Sequence, residues 1–136
     1  MQSDTNSPGS LRIFVVEDHE DTLTIIRRQL EKLGHTVFCA STLNQAVSRL
    51  PETNCDVLLT DVGLPDGSGW DLPSLTRLPS TVFTIAMTGR GLDSDRQKSR
   101  EAGFRHHLVK PYKPSELSDL LAQASAELSA EKASMP

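Results

Sequence analysis

The stretch Asp56-Val57-Leu58-Leu59-Thr60-Asp61, running on into Val62-Gly63-Leu64-Pro65-Asp66-Gly67-Ser68-Gly69, decides the fold. An apolar and β-branched run, Val57 to Thr60, predicts a short buried strand over 56–60. The strand ends on a carboxylate, Asp61. Glycine, proline and aspartate crowd the positions that follow, so the chain leaves the strand through a turn-rich loop. The loop leads to a short helix near Trp70–Arg77. Pro73 fits that helix in its first turn and would break it any later.

The same unit recurs on either side. Toward the N-terminus, Leu11–Val16 is an apolar run that predicts a first strand. Leu23, Ile26, Leu30 and Leu33 then recur at helical spacing as one stripe. Gly34 is a natural C-terminal stop. Thr36–Ala40 reads as a second strand. Thr42 with Gln45 forms a capping box for a helix with the apolar face Leu43, Ala46, Val47 and Leu50. Toward the C-terminus, Val82–Met87 is a fourth strand, Asp93–Ala102 a polar helix stopped by Gly103, and Arg105–Val109 a fifth strand. Ser115–Leu128 is a last helix with Leu117, Leu120, Leu121, Ala124 and Leu128 on one side. Five strand–helix units in sequence imply an α/β fold, a doubly wound parallel sheet with helices on both faces. The domain spans 11–128. Residues 1–10, rich in Ser, Asn, Asp, Pro and Gly, read as a disordered tail or linker. Residues 129–136 are small and polar and are expected to fray.

The whole chain sets outer bounds. Its 136 residues suit one domain with a real core. A net charge of -4 does not suit a nucleic-acid surface, and no apolar run is long enough to span a bilayer. The N-terminus carries no signal-peptide pattern. Cys39 and Cys55 lie in strand-like runs and read as reduced, half-buried thiols. A cytoplasmic protein is expected.

In such sheets ligands bind at the carboxyl ends of the strands. The residues there are Glu17-Asp18, Asp61, Thr88 and Lys110, each directly after an apolar run. Parallel strands bring all four clusters to one edge. Clustered carboxylates repel, and a hard divalent cation relieves the repulsion. Mg²⁺ suits such a site, since it takes oxygen ligands and keeps several waters. A carboxylate also attacks phosphorus to form an acyl phosphate. The metal and Lys110 neutralise the incoming charge, and Thr88 donates to a phosphoryl oxygen. Taken singly, each residue reads as a charged or polar side chain reaching solvent at a strand end. The conjunction points to phosphoryl chemistry.

These motifs, Val15-Val16-Glu17-Asp18, Leu59-Thr60-Asp61-Val62-Gly63-Leu64-Pro65, Met87-Thr88-Gly89 and Val109-Lys110-Pro111-Tyr112, make the chain resemble the receiver domain of two-component response regulators over Leu11 to Leu128. The resemblance implies a flavodoxin-like five-stranded sheet of order 2-1-3-4-5. It implies phosphorylation of Asp61 by a histidine kinase or histidine phosphotransfer protein, with only its own phosphorylation and dephosphorylation catalysed. It assigns Mg²⁺ to Asp18, Asp61 and the backbone carbonyl of Gly63, with Glu17 acting through water. Thr88 becomes the switch hydroxyl and Lys110 the phosphoryl-binding cation. The bond before Pro111 is expected to be cis. The switch aromatic falls at His107, a departure that leaves an aromatic–Thr coupling open. The Pro-Asp-Gly-Ser-Gly loop resembles receivers fused to hybrid histidine kinases. The face made by the fourth helix, fifth strand and fifth helix is implied as the signalling and homodimer surface.

Other readings compete. An aspartyl phosphohydrolase places a second Asp two residues after the nucleophile, where this chain has Gly63. A flavin site needs a phosphate loop after the first strand, where Glu17-Asp18-His19-Glu20-Asp21 would repel phosphate. A degenerate receiver, serving only as a docking module, conflicts with the complete acidic, Thr and Lys positions. His106-His107 are adjacent on a strand and point to opposite faces, so they do not chelate one ion. Trp70 reads as partial core packing rather than a ligand platform. The polar helix Asp93–Ala102 is either a solvated face or part of the signalling surface. With no room for an effector after Leu128, a free-standing receiver or a piece of a larger protein is expected.

Overall fold

The computed structural model describes residues 10–89 and 91–134. Met1–Gly9, which fall in the expected tail, lie outside them. The elements are β1 (Arg12–Val16), α1 (Glu20–Lys32), β2 (Thr36–Ala40), α2 (Leu43–Arg49), β3 (Val57–Asp61), β4 (Gly63–Leu64), β5 (Gly67–Ser68), α3 (Leu72–Thr76), β6 (Phe83–Thr88), α4 (Asp93–Glu101), β7 (His106–Val109) and α5 (Pro114–Ser134). Short 3₁₀ turns follow α2 and precede α3. One parallel sheet runs in the order β2-β1-β3-β6-β7. That is the 2-1-3-4-5 order, because β4 and β5 pair only with each other, outside the sheet. No helix among the described residues is long and apolar enough to cross a membrane.

Alternation along each strand feeds two cores. Ile13, Val15, Val57, Leu59, Phe83, Ile85 and Met87 meet Ile26 and Leu30 of α1 and Leu117, Leu121 and Ala124 of α5. Phe14, Val16, Leu58 and Ala86 point the other way, to Leu43 and Ala46 of α2, Leu72 of α3 and Phe104. Strands covered on both faces must be apolar throughout, which is why these runs are nearly continuous.

Several boundaries differ from the sequence reading, for physical reasons. Leu33 belongs to the α1 stripe in sequence, yet it is 50% exposed. The helix has ended at Lys32, and Leu33 is its cap, followed by Gly34 at φ 96°. Asp61 and Thr88 are the last residues of their strands rather than the first beyond them. Asp61 is in register with Met87, and Thr88 with Val109. The ladder therefore holds both site residues. Pro73 sits in the first turn of α3, where it is tolerated, and the helix closes at Arg77 in the left-handed region. At the C-terminus the helix runs past the Leu128 boundary of the sequence reading. The last helix continues to Ser134, since Ala130, Glu131, Lys132 and Ala133 are all good helix formers.

Candidate functional site

The carboxyl edge of the sheet brings three elements together. Glu17 follows β1, Asp61 closes β3, and Lys110 follows β7. Lys110 Nζ lies between them, donating to Asp61 Oδ2 at 2.9 Å and to Glu17 Oε1 in a very short contact. The Glu17 side chain is fully buried and that of Asp61 nearly so, at 14% exposure. Burial alone would lower the Lys110 pKa. Hydrogen bonds and charge from Glu17 and Asp61 outweigh it and hold the ammonium above the usual lysine range. Asp61 Oδ1 accepts the Gly63 N–H at 3.0 Å. The Lys110–Pro111 peptide bond is cis. His19 closes the other side: its N–H donates to Glu17 Oε2 at 3.1 Å, and its Nδ1 lies 3.4 Å from that oxygen and 3.7 Å from Asp18 Oδ1.

Thr88 and His107 form a second constellation beside the first. Thr88 is buried at 3% exposure, and its Oγ1 lies 2.8 Å from His107 Nε2. His107 Nδ1 lies 2.9 Å from Ser99 Oγ, and Ser99 accepts the Trp70 indole N–H at 2.9 Å. An unbroken chain of hydrogen bonds thus runs from the end of β6 through β7 and α4 to the 3₁₀ turn before α3. His106 faces elsewhere. It stacks on Phe83 with ring centroids 4.8 Å apart and meets Gln123. The two histidines do not act as a pair, as strand alternation requires.

Residues 13–122 match the model of the response regulator receiver domain. The chain belongs to the response regulator receiver family. This receiver is 36% identical to an uncharacterised 14.6 kDa protein of Leptolyngbya boryana, over 85% of this chain and 90% of that one. It is 30% identical to the sensory/regulatory protein RpfC of Xanthomonas campestris, over 83% of this chain but only 16% of RpfC. Among solved structures, the receiver domain of the sensor histidine kinase PA1611 of Pseudomonas aeruginosa superposes with a TM-score of 0.76 at 30% identity. That match covers 86% of this chain and 98% of the other, whose active-site cleft coordinates a magnesium ion. The receiver is thus a signalling module of two-component systems, as the sequence motifs imply.

The loop after β3 is fastened to α2. Asp66 reaches across to α2, its two oxygens accepting the N–H groups of Leu43 at 2.7 Å and Asn44 at 2.9 Å. Those contacts, Asn44 first and then Leu43, hold the Asp66 carboxyl below its ordinary pKa. Thr42 Oγ1 accepts the Gln45 N–H at 3.0 Å, and Gln45 Oε1 accepts the Ser41 N–H at 2.9 Å. The capping box is therefore joined by a carboxylate from a distant loop. Gly69 is required by space. A Cβ there would sit 2.2 Å from the Asp61 carbonyl oxygen and 2.8 Å from Thr60 Oγ1.

The donor set fits a hard divalent cation. Glu17, Asp18 and Asp61 supply three carboxylates against one ammonium, all oxygen donors on the metal side. Glu17, Asp18 and His19 place candidate ligand atoms within 4.8 Å of one another. Sequence reasoning missed His19, Asp66 and Ser99. His19 had one local signal, its place beside the acidic pair. Asp66 and Ser99 had none, since their partners are distant in sequence.

Proposed function

We propose that Asp61 accepts the phosphoryl group in this receiver, from the phosphohistidine of a kinase or phosphotransfer protein. The observation that carries the reading is Lys110 Nζ, held between the buried Glu17 and Asp61 Oδ2. A fixed ammonium beside an acidic nucleophile is placed to take up charge on the transferred group. An Asp61 oxygen forms the new bond to phosphorus while the bond from phosphorus to the donor imidazole nitrogen breaks. The electron pair leaves with that nitrogen, which takes a proton from solvent. Hydrolysis of the resulting acyl phosphate restores the carboxylate. Asp18, Asp61 and the Gly63 carbonyl would hold Mg²⁺, with Glu17 through water, and the ion would supply charge neutralisation to the phosphoryl oxygens. Thr88 would then donate its hydroxyl to the bound phosphoryl group.

A cleft of about 470 Å³, lined in part by Lys110, is where this reading would seat the donor. Ile25, Ile26, Tyr112 and Pro114 line it, and Ile25 is 67% exposed. Two free thiols, Cys39 and Cys55, suit a cytoplasmic setting.

The test is Asp61→Asn, which keeps the shape and removes the nucleophile. Acetyl phosphate with Mg²⁺ should add one phosphoryl mass to the unmutated protein and none to the variant, by intact-mass spectrometry. An adduct of equal yield on the variant would place the acceptor elsewhere.

A further inference from the structure

His19 stands where a helix is ordinarily capped, and it does not cap. It precedes α1 with extended backbone, φ -82° and ψ 115°, and its side chain takes no hydrogen bond from the helix. Ser, Thr, Asp or Asn at that position would accept a free backbone N–H. The His19 ring turns instead to the carboxylates at the end of β1. Its backbone N–H donates to Glu17 Oε2 at 3.1 Å, a tight local turn that sets the side on which the ring lies. The side chain is 76% exposed, so apolar packing does not fix the ring there. Nδ1 lies 3.4 Å from Glu17 Oε2 and 3.7 Å from Asp18 Oδ1. Both distances are long for a hydrogen bond, which is commonest near about 2.9 Å. They suit ligands that share an ion. Two atoms each about 2.1 Å from one metal lie about 3.0 Å apart at right angles and about 4.2 Å apart when opposed. The spacing of Nδ1 and Asp18 Oδ1 falls between those limits. Glu17 Oε1 is already held by Lys110. Asp18, among the described residues, has no charged partner besides His19 and accepts no hydrogen bond at its side chain.

We propose that His19 Nδ1 is a metal ligand beside Asp18, and that it turns the cation site of this receiver toward divalent transition metals and away from Mg²⁺. The proposal rests on Asp18 holding the cation. A set made only of carboxylates, a carbonyl and water suits Mg²⁺, a hard ion that gains little from a nitrogen donor. An imidazole changes the balance. It suits the first-row transition metals, whose affinity for a site with nitrogen rises from Mn²⁺ through Co²⁺ to Ni²⁺. One histidine among carboxylates therefore acts on the choice of metal more than on whether a metal binds. The gain is moderate, because a metal-bound imidazole is normally oriented by an acceptor at its other ring nitrogen. Here no protein group among the described residues bonds Nε2. The plain alternative is a solvated histidine that only offsets acidic charge. Such a residue would weaken or strengthen every divalent cation alike and would leave no nitrogen on the metal.

The test loads the full chain with Mn²⁺ and uses electron spin-echo spectroscopy, which detects nitrogen bound to that ion. The unmutated protein should show a nitrogen modulation that responds to isotopic labelling of histidine alone. His19→Ala should lose it, and so should His19→Asn, which offers an amide oxygen in place of the ring nitrogen. The exposure of the side chain means that neither change threatens the fold. Calorimetry gives the second readout. His19→Ala should weaken Mn²⁺ binding about tenfold and Mg²⁺ binding by no more than about twofold. Absence of the modulation from the unmutated protein, its survival in His19→Ala, or an equal loss of both metals would overturn the proposal. Asp18→Asn separates this proposal from the reading on which it rests. If that variant loses both metals while His19→Ala changes neither affinity, Asp18 holds the cation and His19 is not its ligand. If Asp18→Asn binds both metals as before, the cation is wrongly placed at Asp18, and the proposal falls with it.

Discussion

Two loops at the same end of the sheet are built in opposite ways. The loop after β3 is tied down at nearly every step. Val62 N–H bonds the Met87 carbonyl, Gly69 N–H bonds the Val62 carbonyl, and Trp70 N–H bonds Ser68 Oγ, at 3.0, 3.0 and 3.1 Å. Asp66 fastens its tip to α2. Among its described residues, the loop after β6 has fewer such ties, although a Cβ on Gly91 would meet Val109 Cγ2 at 3.2 Å. A Cβ on Gly89 would meet nothing within 4 Å, Leu92 is 50% exposed, and α4 begins on Leu92 with no side-chain cap. The difference fits the two tasks proposed for these loops. A loop that positions a nucleophile and a metal ligand works best when it is organised beforehand. A loop that carries a switch must have a second arrangement close in energy, and few contacts make that arrangement accessible.

The sharpest way to break the comparison is a pair of glycine substitutions. Gly69→Ala puts a methyl against the Asp61 carbonyl and should cost on the order of 3 kcal/mol while abolishing phosphorylation. Gly89→Ala should stay within about 0.5 kcal/mol. Urea denaturation of both variants reads the contrast, and equal costs would erase it.

The chain from Thr88 to Trp70 links the two loops, and Ser99 is its middle member. Ser99→Ala leaves the half-buried indole N–H without this acceptor and should cost about 1–2 kcal/mol. It should also shift Trp70 emission in the resting protein and remove any further shift on beryllofluoride binding. An unchanged Trp70 response in the variant would show that the loops are not joined by this route.

The smallest effect belongs to Asp66→Asn. The folded carboxyl is held below its unfolded value by the N–H groups of Asn44 and Leu43. Its contribution is therefore present above the usual value of about 3.9 and lost as pH falls through the lower folded one. The variant should be slightly less stable at pH 7, and the gap should close as the pH drops below 4. Urea midpoints across that range supply the check. A gap that persists in acid would mean that Asp66 tethers the loop by shape alone.

Much of this molecule was legible in its sequence because the determining signals are local. Apolar runs such as Val57–Thr60, the stripe through Ile26 and Leu30, and the Thr42–Gln45 box act over a turn or a strand. Each forms the same element wherever it lies. Strand ends carrying Glu17, Asp61, Thr88 and Lys110 could be named for the same reason: one parallel sheet leaves them a single edge to share.

Tertiary structure decided what depends on which distant groups meet. Lys110 could be named from the sequence, but not that it bridges Glu17 and Asp61. Ser99 lies in a helix with almost no apolar stripe, and only the packing of α4 against β7 and the turn before α3 buries it between an indole and an imidazole. Asp66 reads as one more turn residue until the loop lies beside α2. Local propensity acts over a few residues, whereas a hydrogen bond between residues 22 or 29 positions apart exists only once the whole sheet has set the distance.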